Sequence, residues 1–471
     1  MLRKRNTKII ATLGPSSSSP IKIHSLFQAG ADIFRLNFSH GTHEDHRKRV
    51  FHIRQYEKRL GRPIAILGDL QGPKIRIGTF KKNSTVLKNN QKFTLDLNSS
   101  AGDEKRVFLP HKEIFQSVKT NTKILVDDGK IILNITKVSS DKIETEVING
   151  GKISNMKGVN IPETFIKMSS LTKKDIKDLQ FCLDLSLDYI ALSFVQKAKD
   201  LIDLKKHIGN HTGIMAKFEK PMAIKKMDEI LQHCDAAMVA RGDLGVEMPP
   251  EEVPIIQKRI VSACRDFGKP VVVATQMLDS MVNSPSPTRA EASDVATAVF
   301  DSADCLMLSA ETASGKFPVE SVEIMNRIIR GVESDISYRQ ILESKKIKLE
   351  ETTSDAISSA ASQVVKTVLA KAIFTYTRSG ATAKRAARER PTVPIFGLSP
   401  ERLTARQLAL IWGVHTIHAL EPKSFSGMID NACELAKKEG IVKKGDYVII
   451  TAGAPIGVSG STNNLRIAKI S

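Results

Sequence analysis

With 471 residues, 41% of them apolar and 5% aromatic, the chain can bury a large core and exceeds the usual size of one domain, which excludes a disordered polypeptide and points to two or three folded units. Lys and Arg number 70 against 51 Asp and Glu, a formal charge of +19, yet the basic residues are scattered in singles and pairs such as Lys173-Lys174 and Lys225-Lys226, and the densest run is the short Arg3-Lys4-Arg5. That distribution argues against a nucleic-acid-binding face and leaves the excess free to steer a polyanionic metabolite.

Short apolar runs of strand length recur at 7–13, 32–36, 64–67, 189–192, 213–216, 236–240, 271–274 and 305–308, separated by helix-like stretches. Most are nearly continuous in Val, Ile, Leu, Met and Ala, as in parallel strands covered on both faces, and eight such units fit an α/β fold closed into a (β/α)8 TIM barrel. Periodicity by itself leaves an open doubly wound sheet as the alternative. After the third run the pattern changes. Alternating strands are predicted at 86–87, 92–96, 123–126, 131–135 and 142–147, with turns at Asp127-Asp128-Gly129 and Asn149-Gly150-Gly151 and little helical pattern. This reads as an inserted β-barrel lid domain over 72–163, with the catalytic barrel formed by 1–71 and 164–340. A lid at the carboxyl-end face would keep water from a reacting phosphate. A helix over 319–332 and a charged connection around 343–351 lead to strands predicted at 372–376, 393–398, 414–417 and 447–451, which define a separate C-terminal α/β domain over 341–471.

Five cysteines stand far apart, with no Cys-x-x-Cys and no Cys/His spacing suited to zinc, so reduced and mostly buried thiols are expected. The apolar stretch 9–13 is too short for a signal sequence, and no run approaches a membrane span, so a cytoplasmic location without membrane contact is expected.

Polar residues collect where the apolar runs end, and in a barrel those ends share one rim. The second run ends in Arg35-Leu36-Asn37-Phe38-Ser39-His40-Gly41, the third in Gly68-Asp69, the fifth in Lys217-Phe218-Glu219, the sixth in Arg241-Gly242-Asp243-Leu244-Gly245 and the seventh in Thr275-Gln276. Glu219 and Asp243 suit a hard cation such as Mg²⁺, with ion pairing to Lys217 and Arg241 as the plainer alternative. Lys217, two residues from Glu219, faces the same side and could neutralise charge growing on a transferring phosphoryl group. Arg35 offers the planar fork that matches phosphate oxygens, and Thr275 can orient a group or relay a proton. The glycine-rich turn at 241–245 lets backbone N–H groups approach an anion. Asn37, Ser39 and Asp69 form a second oxygen-rich cluster, fit either for a monovalent cation or, for the first two, for capping a helix.

These motifs, together with Thr7-Lys8-Ile9-Ile10-Ala11-Thr12-Leu13-Gly14-Pro15, Leu70-Gln71-Gly72-Pro73-Lys74-Ile75-Arg76, Lys157-Gly158-Val159-Asn160-Ile161-Pro162, Pro287-Thr288-Arg289-Ala290-Glu291 and Leu308-Ser309-Ala310-Glu311-Thr312-Ala313, closely resemble the pyruvate kinase family over essentially the full length. The resemblance implies phosphoryl transfer from phosphoenolpyruvate to ADP, the final step of glycolysis, in a homotetramer that uses Mg²⁺, with Mn²⁺ able to substitute. It implies catalytic roles for Lys217, Arg35 and Thr275, with substrate contacts from these and from Gly242 and Asp243. Mg²⁺ would sit on Glu219 and Asp243, and the nucleotide near Asn37, His40, Arg76 and Lys157. The monovalent-cation site would comprise Asn37, Ser39, Asp69 and Leu70.

Two departures from the family stand out. The stretch Lys217-Phe218-Glu219-Lys220-Pro221-Met222-Ala223 lacks the small aliphatic residue between Lys and Glu and the later acidic residue with Gly. Lys74 stands where many members carry Glu, and Leu70 where that branch has Thr; an ammonium can take the place of a monovalent cation, so K⁺ is not expected to be required. In the C-terminal domain Thr377, Arg378, Ser379, Gly380 and Thr382 are similar to the family's sugar-phosphate effector loop, with Gly460-Ser461-Thr462-Asn463-Asn464 beside it, and a phosphorylated sugar or nucleotide is the expected effector class. An ordinary strand-to-helix turn is the alternative there. The competing readings of the whole chain are a barrel lyase or aldolase acting on a pyruvate enolate, and a basic scaffold protein.

Overall fold

The computed structural model describes residues 2–162, 164–166, 168–345, 350–422, 424–455 and 462–471. Eight parallel strands, Lys8–Leu13, Ile33–Asn37, Ala65–Asp69, Tyr189–Leu192, Gly213–Phe218, Ala236–Ala240, Val271–Ala274 and Cys305–Leu308, pair in sequence and close when the first meets the eighth through Lys8↔Cys305 to Ala11↔Leu308. That last pairing decides between barrel and open sheet, because an open sheet would leave both edges without partners. Four strands have the expected limits, and the other four differ by one or two residues at an end.

The unbroken apolar runs follow from burial on both faces. Along each strand, alternate residues point in and out. Ile10, Ile33, Ala65, Leu67, Tyr189, Ala191, Met215, Met238 and Val272 fill the barrel interior, while Ile9, Ala11, Phe34, Leu36, Ile66, Ile190 and Leu192 join the outer core packed by the helices. Capping boxes start three of those helices: Thr42 with Asp45, Thr172 with Asp175 and Thr288 with Glu291.

The chain leaves the barrel after the third strand at Gly72. Its φ of +69° and the 2.7 Å separation between a hypothetical β-carbon and the Phe194 ring leave room only for glycine. The excursion forms a six-stranded sheet in the order Val159–Asn160, Lys123–Val126, Ile131–Val138, Lys142–Asn149, Lys92–Asp96, Arg106–Phe108, with a separate pair of Ser84–Leu87 and Gly151–Ser154. Among the described residues these are open sheets, not one closed β-barrel, and a short helix, Lys112–Ser117, interrupts them. A core of its own, including Phe93, Leu95, Leu133 and Ile143, holds the unit together.

The C-terminal unit has a five-stranded sheet ordered Val414–His418, Ile395–Ser399, Ile373–Tyr376, Tyr447–Gly453, Thr462–Lys469; the first four are parallel and the last antiparallel. The connection expected at 343–351 begins within the helix Ile336–Ser344 and runs into 346–349, which lie outside the described residues. This unit docks on the amino ends of the barrel strands. Tyr189 Oη donates to the Gln407 carbonyl at 3.2 Å, Arg390 pairs with Asp304 at 2.8 Å, and Arg406 forks onto Glu57 with its Nε at 2.8 Å from Oε1. Among the described residues no helix is long and apolar enough to cross a membrane. All five cysteines are free, four of them buried.

Lys8 is the most confined group at this junction: its ammonium is fully buried and donates to the Val414 carbonyl at 2.7 Å. Burial, aided by the charges of Arg62, Arg5 and Arg3 and opposed by Asp32, pushes its pKa from 10.5 down to about 7. Between those values the unfolded chain binds more protons than the folded one, so stability contributed through Lys8 rises with pH across that window. Raising the pH through it should raise the stability of the parent relative to Lys8→Met by at most about 1.4 kcal/mol per pH unit, seen as a rising thermal midpoint. Equal shifts in the two proteins, measured in parallel melts, would contradict this.

Candidate active site

The inward-facing alternation that fills the barrel with apolar side chains continues to its carboxyl end, where the next inward positions are polar. Counting by two from Ile10, Ile33, Leu67, Ala191 and Met215 reaches Thr12, Arg35, Asp69, Ser193 and Lys217. All five are buried, and they touch one another.

Lys217 is the hub. Its Nζ lies 2.7 Å from Glu219 Oε1 and 3.3 Å from Asp69 Oδ1, and it donates to Ser193 Oγ at 2.7 Å. Ser193 in turn donates to the Leu70 carbonyl at 2.8 Å. Arg35 reaches Asp69 Oδ2 from Nε at 2.8 Å and from Nη2 at 2.7 Å, and its Nη1 meets Thr12 Oγ1 at 3.2 Å. Burial would lower the Lys217 pKa, but Asp69, Glu219 and Asp243 outweigh it and hold the ammonium charged, above its ordinary value. Burial works the other way on Asp69, where Lys217 and Arg35 prevail and depress the carboxyl. At Glu219 burial prevails: the carboxyl is raised despite Lys217, and Asp243 adds to the effect.

Glu219 Oε2 accepts the Phe194 N–H at 2.8 Å, whereas Oε1, like Asp69 Oδ1, is buried and receives no aligned hydrogen bond among the described residues. Glu219 therefore does pair with Lys217, as the plainer reading of the sequence held. Asp243 does not pair with Arg241, which goes instead to Asp294 at 2.7 Å and to the Thr275 carbonyl at 2.7 Å. Asp243 is half-buried and has no ion pair among the described residues.

The glycine-rich turn expected at 241–245 is a correction: residues Arg241–Glu247 form a short helix leaving the sixth strand. The Gly242 N–H, expected to be open to an anion, donates to Thr275 Oγ1 at 2.7 Å. Glu247, buried at the end of this helix, accepts from Lys220 and, at 2.6 Å, from Asn160 Nδ2, so the inserted unit is pinned to the segment that carries Asp243.

Thr275 has a φ of +69°, a strained conformation for a β-branched residue that costs about 1–3 kcal/mol. Three bonds hold it: the one from Gly242, its own hydroxyl donating to the Ala274 carbonyl at 2.6 Å, and Arg241 on its carbonyl.

The remaining expected residues lie further out. Asn37 Oδ1 accepts the Ser39 N–H at 3.1 Å, closing a local turn, while Ser39, His40 and Lys74 are exposed. Leu70 is buried. Arg76 and Lys157 are neighbours on the inserted unit, Arg76 bridging to Gly158 and donating to the Met156 carbonyl at 2.8 Å, and Lys157 pairing with Asp127 at 2.9 Å. In the C-terminal unit Thr377 and Thr382 are buried, Gly380 has a φ of +83° at the start of the helix Ala381–Arg388, and Arg378 pairs with Glu421 at 2.8 Å. Thr382 Oγ1 shares a hydrogen bond of 2.6 Å with Thr462 Oγ1, which joins the two expected effector segments; Gly460 and Ser461 lie outside the described residues. Thr12 and Ser193 were not singled out from sequence as site residues. A lone hydroxyl at a strand end does not stand out until the inward parity of its strand is followed.

A closed β/α barrel with an ammonium, a guanidinium and three carboxylates gathered at its carboxyl-end rim defines an enzyme built to handle a polyanionic substrate. Residues 4–322 match the model of the pyruvate kinase barrel domain, and residues 355–468 that of the pyruvate kinase alpha/beta domain. The chain is 49% identical to a pyruvate kinase of Methylorubrum extorquens, covering 100% of this chain and 98% of the relative, and 48% identical to one of Agrobacterium vitis, covering 99% and 98%. To the pyruvate kinase of Geobacillus stearothermophilus it is 42% identical over 99% of its own length and 81% of the relative. The chain belongs to the pyruvate kinase family.

Replacing Thr275 with Val should leave the Gly242 N–H without its acceptor, lowering stability by about 1–3 kcal/mol, and turnover with it. Thr275→Ser keeps the hydroxyl and should retain both, as melts and steady-state rates on the two variants can check.

Proposed function

We propose that this chain transfers the phosphoryl group of phosphoenolpyruvate to ADP, giving pyruvate and ATP. The observation that carries the reading is the buried Lys217 ammonium held charged between Asp69 and Glu219. A fixed positive charge in a site shielded from water stabilises the charge that develops on a phosphoryl group in transit and on the departing enolate. Arg35, in the same layer, grips phosphoryl oxygens with its planar fork. Thr275 stands at the face where enolpyruvate is protonated, and Gly242 and Asp243 complete the substrate contacts.

Glu219 and Asp243 fit a Mg²⁺ ion. Both offer hard oxygen donors, one Glu219 oxygen takes no aligned hydrogen bond, and Asp243 has no ion pair among the described residues. Mg²⁺ is commonly held by one or two protein carboxylates and keeps water or substrate oxygens in its remaining positions. When bound, Mg²⁺ supplies neutralising charge to phosphoryl oxygens, and Mn²⁺ has compatible ligand preferences.

In this reading the lid spans 72–163 and brings Arg76 and Lys157 to the nucleotide beside Asn37 and His40, so lid closure accompanies nucleotide binding. A lyase or aldolase on the same barrel would need neither Lys157 nor the insertion. The chain acts as a cytoplasmic homotetramer, which light scattering can check as a mass of four chains.

K⁺ is not required. Asp69 already carries Arg35 and Lys217, and the Asn37 amide oxygen is taken by the Ser39 N–H, which leaves little negative charge for a monovalent ion. The turn at Thr377, Arg378, Ser379, Gly380 and Thr382 binds a phosphorylated sugar or nucleotide effector; it borders a cleft lined by Tyr376, Leu420 and Gly453.

A coupled assay of ADP-dependent pyruvate release should show activity, and Lys217→Met should lower turnover at least about a hundredfold, near 3 kcal/mol of barrier. A folded variant with unchanged turnover would sink the assignment. In the same assay, replacing K⁺ with a bulky organic cation at equal ionic strength should leave the rate nearly unchanged, and a many-fold fall would refute independence from K⁺. With a panel of phosphorylated metabolites, Ser379→Ala/Thr382→Ala should lose activation and keep basal turnover; retained activation would remove the effector reading.

A further inference from the structure

At the amino end of the barrel, opposite the rim, a narrow, solvent-open cleft separates Gly268, Lys269, Pro270 and Asp304 from the helix Ala381–Arg388. Five cations line it, Arg265, Lys269, Lys384, Arg388 and Arg390, against a single carboxylate, Asp304. Asp304 is already committed, with Oδ1 to Arg390 at 2.8 Å and Oδ2 to the Val271 N–H at 2.9 Å.

The cations are left with unused donors. Arg388 and Arg390 are 6% and 3% exposed, so any donor they leave without an acceptor is held away from bulk water. Among the described residues, Nε of each and Nη1 of Arg265 have no acceptor. The side-chain ammonium of half-buried Lys384 has neither an ion pair nor a hydrogen bond among the described residues, although it feels the charge of Asp235. Asp355 takes the Nη2 of Arg388 and the Nε of Arg385. Glu389 Oε1 is itself buried without a hydrogen bond among the described residues, and burial raises its pKa against the pull of Arg388 and Arg265. The strain is mutual: burial and the neighbouring charge of Arg390 bring Arg265 down to about 10, and burial lowers Lys384. Unsatisfied buried donors of one sign on both walls of a cleft are what a dianion would complete, since charge-assisted hydrogen bonds to phosphate are stronger than neutral ones.

We propose that this cleft binds the phosphate group of a small metabolite, held by Lys384 and Arg388 from the C-terminal unit and by Arg265 from the barrel. The bound group bridges the two units at a place distinct from the turn at 377–382. Because the helix Ala381–Arg388 begins at that turn and ends at the cleft, one rigid element joins the two anion sites.

Calorimetric titration of inorganic phosphate into the full chain tests the assignment, with Ser379→Ala/Thr382→Ala as the background so that the turn contributes nothing. Adding Lys384→Gln and Arg265→Gln should weaken one binding event by at least about tenfold. Unchanged titration in a variant whose melt is normal would overturn the proposal. If that variant does not fold, Lys384→Gln alone is titrated; a weaker isotherm supports the site and an unchanged one overturns it, while Lys384→Arg should preserve binding. Glycerol phosphate as a second probe separates the sources: tighter binding than inorganic phosphate assigns the cleft to phosphomonoesters, and weaker binding assigns it to the free ion.

Discussion

A buried ammonium is tolerable only where opposite charge is fixed around it, and the Lys217 cluster meets that condition with side chains from three adjacent barrel strands. Asp69 and Glu219 favour the charged form of Lys217 against burial, and Lys217 and Arg35 do the same for Asp69, while at Glu219 burial prevails. The barrel holds these neighbours at fixed spacing. The closed sheet, the capped helices around it and the glycine exit to the lid all maintain that spacing.

The same parity that packs the barrel also builds the site. Inward positions are apolar through two layers and polar in the last, so the chemistry sits directly on the core. At the same rim Thr275 is held against its backbone preference by its hydroxyl and by Arg241. The inserted unit is tied in by Asn160 on Glu247, placing one of its strand ends on the helix that carries Asp243.

Much of this was legible in the sequence because burial on both faces leaves long apolar runs, and a polar residue ending such a run is conspicuous. Lys217, Glu219, Arg35 and Asp69 were found that way. Ser193 and Thr12 were not, since a single hydroxyl after Leu192 or between Ala11 and Leu13 has no local signature. The segment at 241–245 read as a turn because two glycines lower helix propensity, but the bonds that Gly242 and Arg241 make to Thr275 outweigh that preference. The antiparallel strand Thr462–Lys469 escaped notice because its half-exposed, charged composition lacks the apolar run of its parallel neighbours. The cations of the cleft at the amino end are spread from Arg265 to Arg390, and only the docking of two units brings them together.

The pairing of Lys8–Leu13 with Cys305–Leu308 has a consequence for how the protein is made. At roughly 5–20 residues per second, the ribosome leaves the first strand with an open edge for tens of seconds before its last partner emerges. The inserted unit, with its own core encoded entirely between the third and fourth strands, is finished well before then. Vectorial synthesis therefore presents a completed small domain on an unclosed sheet, and that exposed edge is where a chaperone would be needed.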